Sequence, residues 1–324
     1  MKSWTSTAAG LALFAASVFT TLPAHAGLYS TVVAFGDSLS DVGNAGLMAD
    51  RPATPTGPYA DGRSTNGPVA AEVLASTLGA SLRSYAVAGA LSGNGNADVT
   101  SADAGYNSGM LRQVQQYLAD AGGASDPNAL FLVFGGSNDF LSLLDTNPNA
   151  GLPEIVSTAN DVFANLSSIV LTLYGTGAKH FMLPLLPDLG AAPGVGDTTG
   201  EVSAAIAMVN DGFRQGFDLL LAGLGDADVT FTVFDTFAAQ QAITPQFANT
   251  TSACLSGATV CSDPGSHFFW DDLHPTDTVH ALIGQQMAAA VPEPAALALV
   301  ALALLGGAAS RRRVARRQSS LLST

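Results

Sequence analysis

The sequence predicts an α/β domain, a three-layer α/β/α sandwich built on about five parallel strands. Three observations carry that expectation. Short aliphatic and aromatic runs recur along the chain, each apolar on successive residues rather than on alternate ones, as strands covered on both faces are. Stretches of helical periodicity separate them. Between residues 27 and 290 of the 324, no repeat, linker or charge block divides the chain, so the elements belong to one domain with a substantial core.

The first strand is expected over 31–35, running straight into Gly36-Asp37-Ser38. A helix over 69–78 follows, then a weaker strand over 84–87 and a helix over 110–119. The most apolar strand, 130–134, precedes a helix over 154–174. Strands at 181–186 and 229–234 flank a helix over 202–224, and a last helix is expected over 276–290. Strand and helix alternating over such distances imply right-handed crossovers and helices on both faces of the sheet. In such sheets the chemistry gathers beyond the C-terminal ends of the strands.

The two chain ends read as processing signals. Lys2, an apolar stretch over 8–19 and the small-residue ending Ala24-His25-Ala26 describe a secretory signal peptide over 1–26. At the other end, Val291-Pro292-Glu293-Pro294 precedes an uncharged run over 295–309 and then Arg311, Arg312, Arg313, Arg316 and Arg317. An arginine cluster marks the cytoplasmic side of a membrane segment, although the run is shorter than the ~20 residues a span needs. This tail, 291–324, resembles the PEP-CTERM sorting signal of Gram-negative bacteria. The resemblance implies export across the inner membrane, transient anchoring there, cleavage by a sorting protease, and delivery to the cell surface or beyond. A retained single-span anchor is the alternative. Lys2 and these arginines are six of the 12 basic residues, so the domain between is more acidic than the net charge of −14. Such a surface repels nucleic acid, and no nucleic-acid partner is expected. Cys254 and Cys261 lie close together in a Gly/Ser/Thr-rich stretch of an exported chain, where a disulfide is expected.

Four segments at expected strand ends or loops carry chemistry. Ser38 follows the first strand and can present a hydroxyl at the sheet's edge, although a serine there also caps helices. A hydroxyl needs a base, and Asp271-Asp272-Leu273-His274-Pro275 supplies one: imidazole titrates near neutrality, and a carboxylate three residues earlier can hold its Nδ1. Pro275 disfavours helical geometry at His274. Acyl transfer also needs donors for the developing oxyanion. Gly89 can bring a bare backbone N–H close to a substrate oxygen, and the amide of Asn138, in Gly135-Gly136-Ser137-Asn138-Asp139, can donate a second bond; each segment alone also reads as a turn. Asp277 and His280 repeat the carboxylate–histidine spacing, but inside the final helix, where such neighbours make structural contacts. His180 and His267 have no carboxylate three residues before them.

Taken in order, Ser38, Gly89, Asn138 and His274 resemble the four named residues of the GDSL or SGNH hydrolases, over essentially the whole domain from Phe35 to Pro275. The resemblance implies a flavodoxin-like sandwich and ester hydrolysis through an acyl-Ser38 intermediate. His274 would act as base and Asp271 as its orienting partner. The N–H groups of Ser38 and Gly89 with the Asn138 side chain would form the oxyanion hole, and no metal or organic cofactor is implied. Gly62-Arg63-Ser64-Thr65-Asn66-Gly67-Pro68 and Leu186-Pro187-Asp188-Leu189-Gly190 resemble the branch with plant-type GDSL lipases and secreted phospholipase-like enzymes, which makes Asn66 and Asp188 candidate substrate contacts. Ala90 departs from the second glycine many members carry. Lipid-like esters, aryl esters and O-acetylated glycan all remain open as substrates, the sorting tail favouring the glycan. Two other functions compete: a catalytically silent surface or matrix module that binds glycan on the same fold, and a metal hydrolase built on Asp271, Asp272 and His274. Metal sites recruit more convergent ligands than these.

Overall fold

The structure, a computed structural model, describes residues 29–47, 57–97 and 108–292. The signal peptide expected over 1–26, and the tail beyond Pro292, lie outside the described residues. Among the described residues no helix is long and apolar enough to cross a membrane.

In chain order the elements are β1 (Thr31–Gly36), α1 (Ala70–Leu78), β2 (Ser81–Ser84), α2 (Met110–Asp120), β3 (Leu130–Phe134), α3 (Ser137–Thr146), α4 (Leu152–Gly175) and β4 (His180–Pro184). There follow α5 (Glu201–Leu224), β5 (Thr230–Phe234), α6 (Thr236–Ile243), four short strands and α7 (Asp277–Ala290). The short strands are β6 (Asn249–Ala253), β7 (Leu255–Ser256), β8 (Thr259–Val260) and β9 (His267–Phe269). The first five strands form one parallel sheet in the order β2-β1-β3-β4-β5, which is the flavodoxin-like order. The chain leaves β1 on one side for β2 and returns on the other for β3, so the topological switch point lies between β1 and β3. Ser38 leaves the end of β1 and Asn138 the end of β3.

Both faces of the sheet are covered, which explains the continuous apolar runs. Val33, Phe35, Phe131, Val133, Phe181 and Leu183 pack under α2, α4 and α5. Their alternates Val32, Ala34, Leu130, Leu132, Phe134 and Met182 pack under α1, α6 and α7. Fully burying each large side chain contributes about 1.5–3 kcal/mol. The sheet's edge differs: β2 runs over Ser81–Ser84, three residues before the strand expected at 84–87. Tyr85 and Val87 still donate to Ala34 and Gly36 carbonyls, but as a packed loop, with the Tyr85 ring stacked on Phe35. Their apolarity thus reports burial rather than strand. Helix ends follow local chemistry. Glu72 accepts the Val69 N–H at the start of α1, and Gly79, at φ 66°, closes it in the left-handed conformation that glycine adopts without strain.

Candidate active site

Ser38 sits on the turn that ends β1. Gly36 has no room for a side chain, because an added Cβ would collide with the Phe134 carbonyl on β3. Buried Gln113, reaching in from α2, accepts from the Gly36 N–H at 2.9 Å and donates to the Gly36 carbonyl at 2.8 Å. The strand end is therefore bolted immediately before the nucleophile position.

The Asp271–His274 loop reaches Ser38 from the far end of the chain. Trp270 N–H donates to the His274 carbonyl at 2.7 Å, closing the loop on itself, and Thr276 N–H donates to Phe268 at 2.9 Å. Inside the loop one carboxylate oxygen of Asp271 accepts the N–H groups of Leu273 and His274, at 2.9 and 2.6 Å. That local turn is why a three-residue spacing brings carboxylate and ring together: His274 Nδ1 lies 3.0 and 2.9 Å from the two Asp271 oxygens. On the ring's other side, Nε2 lies 2.9 Å from Ser38 Oγ. Side chains of Asp271 and His274 are each only 18% exposed, so their mutual attraction is weakly screened. Burial raises the Asp271 carboxyl, but its bonds to His274 and to the loop N–H groups outweigh that and hold it below the usual carboxylate range.

A further residue belongs to this group, one that no sequence motif marks. Tyr59 donates its hydroxyl to Asp271 Oδ2 at 2.9 Å from 212 residues away. Burial, and then the Asp271 charge, push its phenol well above the ordinary value, so it stays a donor. Its ring meets Trp270 edge-on at 6.3 Å, and Trp270 packs with Cys254, Leu255 and Cys261. The two cysteines are a bonded pair with Cα atoms 4.9 Å apart, beneath that aromatic pair. Cys254, Cys261 and His267 are grouped closely enough to ligate a cation, but both sulfurs are engaged with each other.

Three loops are tied together around Gly89. Asp41, fully buried, accepts N–H groups from Gly43, Asn44, Ala45 and, at 2.7 Å, Ala88. Burial still pushes its carboxyl upward against those donors. On the other side of Gly89, the Asn138 amide donates to the Ala90 carbonyl at 3.0 Å. Gly89 itself has φ 77°, a conformation that strains any residue with a Cβ. Asp139 anchors the same region, accepting from the N–H and hydroxyl of Ser92 at 2.9 and 2.8 Å.

A cleft runs along the sheet's C-terminal edge, lined among others by Ser38, Asn138, Asp188 and His274. Gly89 and Asn66 do not line it. Both ends of the Asn66 amide engage Asp277 at 2.9 Å, one of them through its backbone N–H, which ties the Gly62–Pro68 segment to the start of α7. Asp188 does line the cleft, and accepts the Ser203 hydroxyl at 2.6 Å. Buried His280 accepts the Ala70 N–H at 3.2 Å through Nδ1, and burial pushes its pKa down to about 3. His180 lies at the opposite end of the sheet against Thr230 and Tyr29, and His267 pairs with Asn249. Asp272 is exposed. Asp37, beside Ser38, is buried with one oxygen lacking any partner among the described residues, and burial drives its pKa up to about 6.

A hydroxyl, an imidazole and a carboxylate in line, at the switch point of a parallel sheet, form the arrangement an acyl-transfer hydrolase needs. Comparison with known proteins supplies the family. Residues 32–287 match the family model of GDSL-like lipases and acylhydrolases, and residues 290–313 match the PEP-CTERM protein-sorting motif. The chain therefore belongs to the GDSL-like lipase/acylhydrolase family, which places it in the class of carboxylic ester hydrolases. The motif points to export and surface sorting. Among curated relatives, the thermolabile hemolysin of Vibrio parahaemolyticus is 30% identical over 284 residues, covering 79% of this chain but only 62% of that protein. An inactive GDSL esterase/lipase-like protein 25 of Arabidopsis thaliana is 23% identical, over 81% of this chain and 72% of its own. A lipase from a goat rumen metagenome is similar in structure, with a TM-score of 0.46 and 14% identity, over 80% of this chain and 96% of that one.

Proposed function

We propose that the chain is an exported serine ester hydrolase that works through an acyl-Ser38 intermediate. The observation that carries this is the 2.9 Å approach of His274 Nε2 to Ser38 Oγ, with Asp271 on the other ring nitrogen. Ser38 Oγ attacks the ester carbonyl while its proton passes to His274 Nε2. The oxyanion is held by the Ser38 N–H and the Asn138 amide, whose second hydrogen remains for substrate once Ala90 has taken the first, with the Gly89 N–H as a third donor set back from the cleft surface. Collapse of the tetrahedral intermediate expels the alcohol, which takes the proton from His274. Water then repeats the sequence and frees the acid. Asp271 stabilises the imidazolium and fixes its tautomer. None of these steps requires a metal or an organic cofactor.

Residues 1–26 serve as signal peptide, 27–290 as the hydrolase domain with Cys254–Cys261 as its disulfide, and 291–324 as a sorting tail removed by an inner-membrane protease. Asp188, in the cleft wall, is the better placed of the two candidate substrate contacts, and Asn66 holds α7 instead. Purified protein should hydrolyse p-nitrophenyl esters, or release acetate from acetylated polysaccharide, and Ser38→Ala should lower kcat by about 10⁴- to 10⁶-fold. Chelator-sensitive activity that survives Ser38→Ala would refute the reading.

A further inference from the structure

We propose that the Cys254–Cys261 disulfide is a redox-sensitive clasp on the catalytic carboxylate, closed for turnover and slackened on reduction by a small dithiol; this rests on the acyl-Ser38 reading above. Asp271 follows directly on backbone that the clasp holds. Beyond β6 the chain pairs with the residues before Asp271: Cys254 N–H donates to the Phe269 carbonyl at 3.0 Å, and Leu255 N–H to the Trp270 carbonyl at 2.7 Å. It then turns back through β7 and β8, and Cys261 N–H donates to the Cys254 carbonyl at 2.8 Å. A hairpin of two such short strands is marginal by itself. The disulfide, across a separation of 7 residues, shuts its open end at the residue that grips Phe269. Cys254, Leu255 and Trp270 form a small apolar cluster with Tyr59 and Cys261 packed against it, separate from the two clusters that flank the sheet. Two contacts run from this cluster to the triad: the Tyr59 hydroxyl donates to Asp271 at 2.9 Å, and Trp270 N–H to the His274 carbonyl at 2.7 Å. Opening the bond therefore loosens Asp271 while the sheet and its helices keep their cores.

Exposure sets the order of exchange. Cys254 is 2% exposed and Cys261 partly exposed, so an incoming thiolate meets Cys261 Sγ. A bond forms from the dithiol's first sulfur to Cys261, the protein S–S bond breaks, and Cys254 leaves with the electron pair and takes up a proton. The dithiol's second thiolate then attacks its own first sulfur, closing the dithiol's internal disulfide, and Cys261 leaves as thiolate before it too is protonated. The protein pair gains two electrons and two protons, and the dithiol loses them. His267 favours the second departure. Asn249 Oδ1 accepts the Thr251 and Ser252 N–H groups, so its Nδ2 faces His267 Nε2 at 3.1 Å, and the Asp263 carbonyl faces Nδ1 at 3.1 Å. The ring proton therefore sits on Nδ1, 3.5 Å from Cys261 Sγ, where it can donate to the departing thiolate.

The chain has only these two cysteines, so thiol titration reads the clasp directly. Full-length protein is reduced with dithiothreitol, freed of it under nitrogen, and assayed on p-nitrophenyl acetate with a chelator present, which keeps metal off the freed sulfurs and His267. As both thiols appear, kcat/KM should fall about tenfold, mainly in kcat, short of the ~100-fold that a 1 Å misplacement costs. The acid limb of the profile should move to lower pH, because the imidazolium loses part of its counter-charge. Both changes should reverse on reoxidation, and the melting transition should persist throughout. Cys254→Ala/Cys261→Ala should match the reduced protein in rate and limb, and His267→Ala should keep the oxidised rate but be reduced roughly threefold more slowly. Two thiols with rate and limb unchanged would overturn the clasp, as would a bond that dithiothreitol leaves intact in the folded protein, or a loss of rate that comes with loss of the melting transition. Equal reduction rates in His267→Ala and the parent would overturn the part given to His267. Failure of the oxidised protein to take a fluorophosphonate at Ser38 would overturn the acyl-Ser38 reading instead.

Discussion

Asp271 shows how a single side chain organises the site: its two oxygens accept from Leu273, His274 and Tyr59. Tyr59 is a positioning residue, acting through Asp271 on His274. Tyr59→Phe removes one donor from the carboxylate and leaves more of its charge for the imidazolium. The imidazolium is then better stabilised, and the acid limb of the kcat/KM profile should move to higher pH. The rate should fall by roughly three- to tenfold, less than the ~1.5–3 kcal/mol a hydrogen bond to a charged group is worth, because Asp271 keeps its bonds to Leu273 and His274. A variant that lowers the whole profile without moving its limb would assign Tyr59 a merely structural role. Asn138→Ala should lower kcat by about 10²- to 10³-fold with little change in KM, as loss of an oxyanion donor does. Ser38, Asn138, Asp271 and His274 were legible because each lies in a short run with its own chemical logic. Tyr59 was not, because Gly57-Pro58-Tyr59 reads as a turn and its partner is 212 residues away.

At the scale of elements, the loops that form the site are pinned by buried amides on neighbouring helices. Gln113 of α2 holds Gly36, Asn210 of α5 pairs with both backbone groups of Leu186 at 2.9 Å, and Gln240 of α6 accepts the Asp188 N–H at 2.9 Å. Each amide oxygen takes up a backbone N–H beyond a strand that would otherwise be buried without a partner. Gln113→Leu should destabilise the fold by about 2–4 kcal/mol, since orphaned buried groups cost about 1–3 kcal/mol each, and should slow labelling of Ser38; a melt unchanged from the parent would contradict this. The sheet was readable from the sequence because its central strands are covered twice. These amides were not, because a single glutamine or asparagine on a helix says nothing about what it faces. The helices α3 and α6 were missed for a related reason. One begins inside a Gly-Gly-Ser-Asn-Asp segment with the look of a turn, and the other is only eight residues long.

For the whole molecule, two buried groups set opposing responses to pH. His280, with a folded pKa of about 3 against an ordinary 6.5, lends stability that is present above 6.5 and lost as pH falls towards 3. Asp37, raised to about 6 from 3.8, does the reverse: its contribution is present below 3.8 and lost as pH rises through 6. Between pH 4 and 6 the two slopes oppose, and the contributions of these two groups to the melting temperature largely cancel. His280→Asn keeps an acceptor for Ala70 but removes the titration. Its stability should fall across that window as pH rises, by at most about 1.4 kcal/mol per pH unit; a melting profile parallel to the parent's would contradict the assignment. The sorting tail adds an expectation about the mature chain, that intact mass of protein from its host ends before Arg311. The most direct measurement on the site is peptide mapping of the native protein after reaction with a fluorophosphonate. A single adduct on Ser38, formed far more slowly in His274→Ala, is the expected result. An adduct on any other residue, or labelling of Ser38 indifferent to the loss of His274, would contradict the serine–histidine assignment.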